Sequence, residues 1–360
     1  MTALADELRR MIAWDGPLSV ECYMALCLGH PVHGYYTTRD PFGADGDFTT
    51  APEISQMFGE LIGLWTTEVW RLMGAPRPLR IVELGPGRGT LMADCLRAAR
   101  HVPDFLEAAR VHLVETSPVL EASQREKLSG AAVPLAWHAA LAEVPPGPTI
   151  ILANEFLDAL PIRQFVRTER GWCERLIGLA DGRLAFGVAP EPEARMRSAG
   201  KVGDILEWPG AALELTMAIA KRIADQRGAA LFIDYGYGGP AFGDTLQAVK
   251  RHTFADPLAE PGDADLTVHV DFARIAATAR EGGAVVHGPV SQGDFLRALG
   301  IDARACTLRA CASAAQGAAI ESALRRLTED APGAMGGLFK AMAVAHPDLD
   351  ALPGFPSPSP

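Results

Sequence analysis

Arg80-Ile-Val-Glu-Leu-Gly-Pro-Gly-Arg-Gly-Thr90 reads as a buried strand that runs into a glycine turn. Gly85, Gly87 and Gly89 let the backbone bend tightly and come close to a ligand with no Cβ in the way. The spacing is G-x-G-x-G, with Thr90 standing where the dinucleotide fingerprint G-x-G-x-x-G has its last glycine. Glu83, at the strand end, would repel a pyrophosphate and attract a ligand carrying an ammonium and a sulfonium centre. S-adenosylmethionine has both, and the expected cofactor follows from that. A glycine turn alone is also what a structural strand-to-helix loop would use.

The next apolar run, Arg110-Val-His-Leu-Val-Glu-Thr-Ser-Pro118, strengthens the cofactor reading. It ends in Glu115, about one half-unit of a βαβ repeat downstream, followed by Thr116 and Ser117. A carboxylate there can accept both ribose hydroxyl hydrogens, a contact that nicotinamide and methionine cofactors share. Glu83 and the glycine spacing separate the two.

Composition bounds the rest. The chain has 360 residues, 48% of them hydrophobic and 21% charged, enough for one large domain with insertions or two modest ones. No apolar run approaches a membrane span, so no membrane insertion is expected. The first ten residues contain acids and begin in a helical pattern, which leads to an expected cytosolic location. A net charge of −11 argues against nucleic acid and suits a cationic acceptor. Six scattered cysteines include no C-x-x-C pair, and Cys27, His30 and His33 lack a second ligand pair, so no metal is expected.

Along the chain, residues 1–75 read as a helical extension with helices near 6–13 and 54–73. Between them, residues 34–55 form a long loop dense in hydroxyls, aromatics and acids. Asp47, Thr49 and Thr50 in this loop are candidates to cover the cofactor. Thr50-Ala-Pro-Glu53 reads equally well as a helix start, with Thr50 as N-cap and Glu53 three residues on.

An α/β domain spans 76–345, with strands near 79–84, 110–116, 133–137 and 149–154 alternating with helices. An antiparallel meander is inserted at about 162–208, the sheet resumes at 229–236, and 284–290 and 337–344 supply last strands. The tail, 346–360, is proline-rich and expected to be disordered.

In an open parallel sheet the ligand lies beyond the carboxyl ends of the strands. The fourth strand ends in Asn154-Glu-Phe-Leu-Asp-Ala-Leu-Pro161, and a short helix there would put Glu155 and Asp158 on one face, i and i+3, able to grip one cation. Alternatively, Asn154 and Asp158 cap a turn through backbone hydrogen bonds. Asp234-Tyr-Gly-Tyr-Gly-Gly239 could form another wall, and His252 and His269 sit among further polar groups, a buried, satisfied histidine being the ordinary reading for His269.

Gly46-Asp-Phe-Thr-Thr-Ala-Pro-Glu-Ile-Ser-Gln-Met-Phe-Gly59, Val82-Glu-Leu-Gly-Pro-Gly-Arg-Gly89, Ala153-Asn-Glu-Phe-Leu-Asp-Ala-Leu-Pro161, Ile233-Asp-Tyr-Gly236, Thr245-Leu-Gln247 and Asp265-Leu-Thr-Val-His-Val-Asp-Phe272 together resemble the MidA family of S-adenosylmethionine-dependent methyltransferases. The match runs over nearly the whole chain. It implies a class I, seven-stranded, Rossmann-like α/β fold and an arginine acceptor on a protein, by resemblance a respiratory complex I subunit in an assembly role. It also implies that Gly85, Gly87 and Gly89 approach the methionine moiety, Glu115 the ribose, and that the Gly46–Ala51 loop covers the cofactor. The absence of a mitochondrial targeting pattern at the N-terminus suggests a bacterial member.

Methyl transfer from a sulfonium is an in-line displacement, so positioning supplies much of the rate. Asn154, Glu155, Asp158 and His269 are the candidate catalytic residues, with the two carboxylates gripping the guanidinium fork and taking its proton. Asn154 is also a candidate cofactor contact. A non-catalytic cofactor-binding assembly chaperone and a small-molecule methyltransferase are the rivals, and a nicotinamide oxidoreductase ranks last. Self-association into a homodimer stays open.

Overall fold

The computed structural model describes residues 2–38, 50–239, 241–250 and 253–356. Contacts gather the chain into two compact units, each assembled from separated stretches: 1–48, 157–215 and 239–271 in one, and 49–156, 216–238 and 272–360 in the other.

The second unit carries the parallel sheet. Seven strands, β1 (Leu79–Leu84), β2 (Ala109–Val114), β3 (Leu135–His138), β4 (Thr149–Asn154), β5 (Gly228–Tyr237), β6 (Val285–Ser291) and β7 (Phe339–Ala345), lie in the order β6-β7-β5-β4-β1-β2-β3. The five from β5 to β3 run parallel, and β7 is antiparallel to both β5 and β6. The order turns back between β4 and β1, so their carboxyl ends flank the place where a doubly wound sheet binds its ligand.

These strands form because β1, β4 and β5 are almost unbroken apolar runs, which only a sheet covered on both faces can bury. Helices α1 (Ala51–Ile54), α2 (Gln56–Leu72), α3 (Thr90–Ala99), α4 (Pro103–Ala108) and α5 (Pro118–Lys127) belong to this unit. α2 and α3 pack backbone to backbone. A Cβ at Gly59 would lie 2.6 Å from Asp94 Cβ, and one at Gly63 2.6 Å from Cys95 Cα. Phe58, Trp65, Ile81, Leu91, Leu113 and Ile150 join one buried core; each such side chain contributes roughly 1.5–3 kcal/mol by leaving water. That packing fixes α3, and α3 begins where the glycine turn ends. At the chain's end the Trp65 indole donates to the Pro353 carbonyl at 3.1 Å, and Phe355 packs on Phe295 with ring centres 5.2 Å apart. The disorder expected of 346–360 therefore does not hold for 346–356, where Leu349 and Leu352 join the core and Phe355 packs against it, apolar side chains being worth more buried than solvated; 357–360 lie outside the described residues.

In the first unit, helices Ala3–Asp15 and Val20–Gly29 share a core with the expected meander. Arg163–Thr168, Gly171–Ala180 and Arg183–Pro192 are antiparallel neighbours, extended by Ile205–Trp208 and by the two-residue strand Leu18–Ser19. A second, three-stranded sheet joins Thr253–Ala255, Gln247–Lys250 and Asp265–Thr267.

Candidate functional site

Glu83 is the penultimate residue of β1 and is 3% exposed. Burial, and then the charge of Glu115, push its carboxyl up to about 8. Its Oε2 has no hydrogen-bond partner among the described residues. A buried acceptor left unmatched costs free energy unless a ligand donor fills it.

The turn after β1 takes the form the glycines predict. Gly85, Gly87 and Gly89 have φ of 61°, 53° and 80°, the left-handed region that side chains disfavour. Gly85 is doubly constrained, since a Cβ there would lie 2.6 Å from the Phe156 ring. The Gly89 amide donates to the Pro86 carbonyl at 2.8 Å, and Gly89 then serves as the N-cap of α3.

Glu115 follows β2 directly. Its Oε1 accepts from the backbone amides of Thr116 at 2.8 Å and Ser117 at 2.7 Å, while the Ser117 hydroxyl accepts from the Leu120 amide to cap α5. Burial raises the Glu115 pKa, and these donors pull it back. Gln124 of α5 completes the arrangement. Its Nε2 donates to Glu115 Oε2 at 3.1 Å and to the Gly87 carbonyl at 2.7 Å, and its Oε1 accepts from the Trp137 indole at 2.9 Å. Sequence reading missed Gln124; no motif marks an amide in the middle of a polar helix.

Beyond β4 the expected short helix does not form. Residues 155–160 make bends and a turn, and Glu155 has φ of 50°, which no right-handed helix accommodates. The shared i, i+3 face of Glu155 and Asp158 is therefore lost, and the two residues belong to different units. Glu155 Oε1 instead accepts from the Ala51 amide at 2.9 Å and from Asn154 Nδ2 at 3.1 Å, holding the start of α1. Asn154 Oδ1 is buried without a hydrogen-bond partner among the described residues. Nearby, Phe156 donates its amide to Asp234 at 3.1 Å.

Thr50 is the N-cap residue of α1 but makes no side-chain capping bond, and Glu53 turns away from the cap to accept from Thr90 at 2.5 Å. Lys127 in turn donates to Thr90 at 2.6 Å. Asp47, Thr49 and His252 lie outside the described residues.

In the other unit, the Asp158 carbonyl accepts from the Val268 amide at 3.0 Å, and the His269 amide donates to the Thr245 hydroxyl at 2.9 Å. Burial lowers the His269 pKa, which keeps its ring neutral. Tyr36 donates to both oxygens of Asp265, at 2.9 and 3.0 Å, and burial with the charges of Asp265 and Asp158 drives its phenol far above the ordinary range.

These residues fit the expected cofactor on the structure's own terms. Glu83 offers a spare buried acceptor for an ammonium, the glycine turn offers bare backbone, and Glu115 presents a fixed carboxylate beyond the neighbouring strand.

Comparison with known proteins agrees. A family model described as "Putative S-adenosyl-L-methionine-dependent methyltransferase" matches residues 61–290. The chain is 37% identical to a Drosophila melanogaster protein named protein arginine methyltransferase NDUFAF7 homolog, mitochondrial, over 98% of this chain and 88% of that one. It is 36% identical to the Homo sapiens protein arginine methyltransferase NDUFAF7, mitochondrial, over 84% of this chain and 75% of that one. A COG1565 superfamily protein from Burkholderia thailandensis, crystallised with S-adenosyl-homocysteine, superposes with a TM-score of 0.84 at 30% identity, covering 98% of this chain and 94% of that chain. The expected cytosolic location is corrected by these relatives, whose names place them in mitochondria; the acids at the N-terminus were too weak a guide. The chain belongs to this family of S-adenosylmethionine-dependent methyltransferases, and S-adenosyl-L-methionine is its cofactor.

Proposed function

We propose that this methyltransferase modifies an arginine side chain of a partner protein, the acceptor being a subunit of respiratory complex I. The observation that carries the acceptor class is the naming of relatives as protein arginine methyltransferases at 36% to 38% identity along most of the chain. The cofactor supplies, when bound, a methyl group on a sulfonium that a nitrogen can displace in line.

Glu83 with Gly85, Gly87 and Gly89 is proposed to hold the methionine end, and Glu115 with Thr116 and Ser117 the ribose. Asp47, Thr49 and Thr50 are proposed to cover it, with Asn154 Oδ1 as a further acceptor. The spare acceptors on Glu83 and Asn154 support this reading. A guanidinium stays protonated near neutrality, so the acceptor needs a carboxylate to localise its charge and take its proton. Asp158, which raises the pKa of Tyr36 in its own unit, is the first candidate, with His269 as the neutral base that could pass the proton on. Glu155 is proposed to act through the Ala51 amide it holds, as a positioning residue.

The test is incubation with labelled methyl donor and a mitochondrial extract, then mass spectrometry of the labelled band. Label on an arginine of a complex I subunit is expected. Label on lysine or carboxylate, or only on small molecules, overturns the acceptor class. Light scattering of the purified protein decides between monomer and homodimer.

A further inference from the structure

We propose that the amino-terminal edge of the parallel sheet is a second ligand site, built for an oxyanion (a carboxylate or a phosphate monoester) carried on a small apolar body. A cavity of about 530 Å³ opens there, within the range of small-molecule sites. Its wall includes Arg80, the second residue of β1, Arg110, the second of β2, and Leu135, the first of β3. Glu83, Glu115 and the glycine turn occupy the opposite, carboxyl ends of the same strands.

The cavity carries an unbalanced positive charge. Glu107 is the one carboxylate among its described lining residues, and Arg77 already engages it at 2.9 Å. Arg80 has no such partner: its Nε is buried with no hydrogen bond among the described residues. Its guanidinium lies against bare backbone at Gly147, where a Cβ would run into Nη1. Arg222 stands close enough that the two guanidinium charges oppose each other, and its donors go to the carbonyls of Val144, at 3.0 Å, and Pro145. Carbonyl dipoles orient a guanidinium without neutralising it.

His112 adds a third group. Its Nδ1 lies 2.9 Å from His138 Nε2, and burial, His138, Arg80 and Arg222 together hold its pKa down at about 4, so it stays neutral and offers a ring nitrogen or its proton. A partly desolvated Arg80 guanidinium that faces a second cation and has no counter-charge is costly, and an oxyanion that meets its fork relieves the cost. Between the charged groups the wall is apolar and stiff, with Pro78, Val111, Pro134 and Pro145, which suits a hydrocarbon or aryl body.

Calorimetric titration of the full chain with benzoate, phenyl phosphate and inorganic phosphate at constant ionic strength tests this. Benzoate and phenyl phosphate are expected to bind saturably, one per chain, several-fold tighter than inorganic phosphate, and equally well with S-adenosylhomocysteine present. Arg80→Gln is expected to weaken benzoate roughly tenfold or more, with S-adenosylhomocysteine affinity unchanged. A second measurement needs no variant: benzoate should slow phenylglyoxal modification of Arg80, mapped by peptide mass spectrometry, and S-adenosylhomocysteine should not. The proposal fails if no probe saturates, if Arg80→Gln binds as the parent does, or if benzoate leaves Arg80 unprotected. Inorganic phosphate binding as tightly as phenyl phosphate removes the apolar body from the assignment and overturns the ligand class.

Discussion

Gln124 donates to Glu115 across 3.1 Å, and the same side-chain nitrogen reaches the Gly87 carbonyl at 2.7 Å. Because the Trp137 indole fixes its oxygen, the buried amide has one orientation and both of its hydrogens are used. One side chain thus ties the proposed ribose carboxylate to the glycine turn. Gln124→Ala leaves three part-buried groups short of a partner, at roughly 1–3 kcal/mol. Calorimetry should find S-adenosylhomocysteine affinity reduced about tenfold or more, and Gln124→Glu should be worse because it sets a carboxylate against a carboxylate and a carbonyl. If cofactor affinity stays within twofold, the amide only fills space.

Glu83 links cofactor binding to pH. Its folded carboxyl titrates near 8 against an ordinary 4.5, so between those values the folded chain holds a proton that the unfolded chain has lost. Stability contributed by this group is therefore fully present below about 4.5 and is lost as pH rises toward 8. Binding an ammonium at Glu83 favours the ionised form, so affinity should rise with pH, by up to about tenfold per unit, and level off near 8. Glu83→Gln should abolish that slope and weaken binding, while stabilising the cofactor-free protein at pH 8.5 by on the order of 1–3 kcal/mol in urea melts. A flat pH profile for the parent protein rules out the ammonium contact.

β1, β4 and the glycine turn were legible because buried parallel strands are continuous apolar runs and glycines mark where the backbone turns left-handed. Both observed strand ranges, Leu79–Leu84 and Thr149–Asn154, match the expected ones. Other features depend on distant partners. The joining of residues 1–48 to the meander passes through Leu18–Ser19, a two-residue strand too short to leave a period. Glu155 in a left-handed conformation cannot be inferred from glutamate, which seldom adopts it. Gln124 sits nine positions after Glu115, and only the packing of α5 shows which face it presents. Composition misled on location, since acidic residues at an N-terminus carry little information about compartment.

Gly85 and Phe156 make the glycine requirement testable in two steps. Gly85→Ala meets the Phe156 ring at 2.6 Å and also strains a φ of 61°, so the combined penalty should be about 2–4 kcal/mol. Adding Phe156→Ala removes the steric part and leaves the backbone strain. Denaturant melts should show the double variant recovering part of the loss relative to the sum of the singles, a coupling of about 1 kcal/mol or more. Simple additivity means the ring and the turn do not touch.

Glu155 decides between a group that holds structure and one that moves protons. Its Oε1 accepts from Ala51 and Asn154, and the Ala51 amide opens α1, whose Glu53 receives the Thr90 hydroxyl at the first turn of α3. Glu155→Gln keeps an acceptor but loses the charge that roughly doubles the bond's strength, so the cost to stability should be about 1 kcal/mol. Glu155→Ala loses the acceptor altogether and should cost about 2–3 kcal/mol. A positioning role predicts that the Gln variant retains most methylation with an unshifted pH–rate profile, whereas the Ala variant loses activity in step with stability. A residue that takes the acceptor's proton behaves otherwise: Glu155→Gln would then be as inactive as Glu155→Ala, at nearly parental stability, and its pH–rate profile would lose the limb that the carboxylate controls.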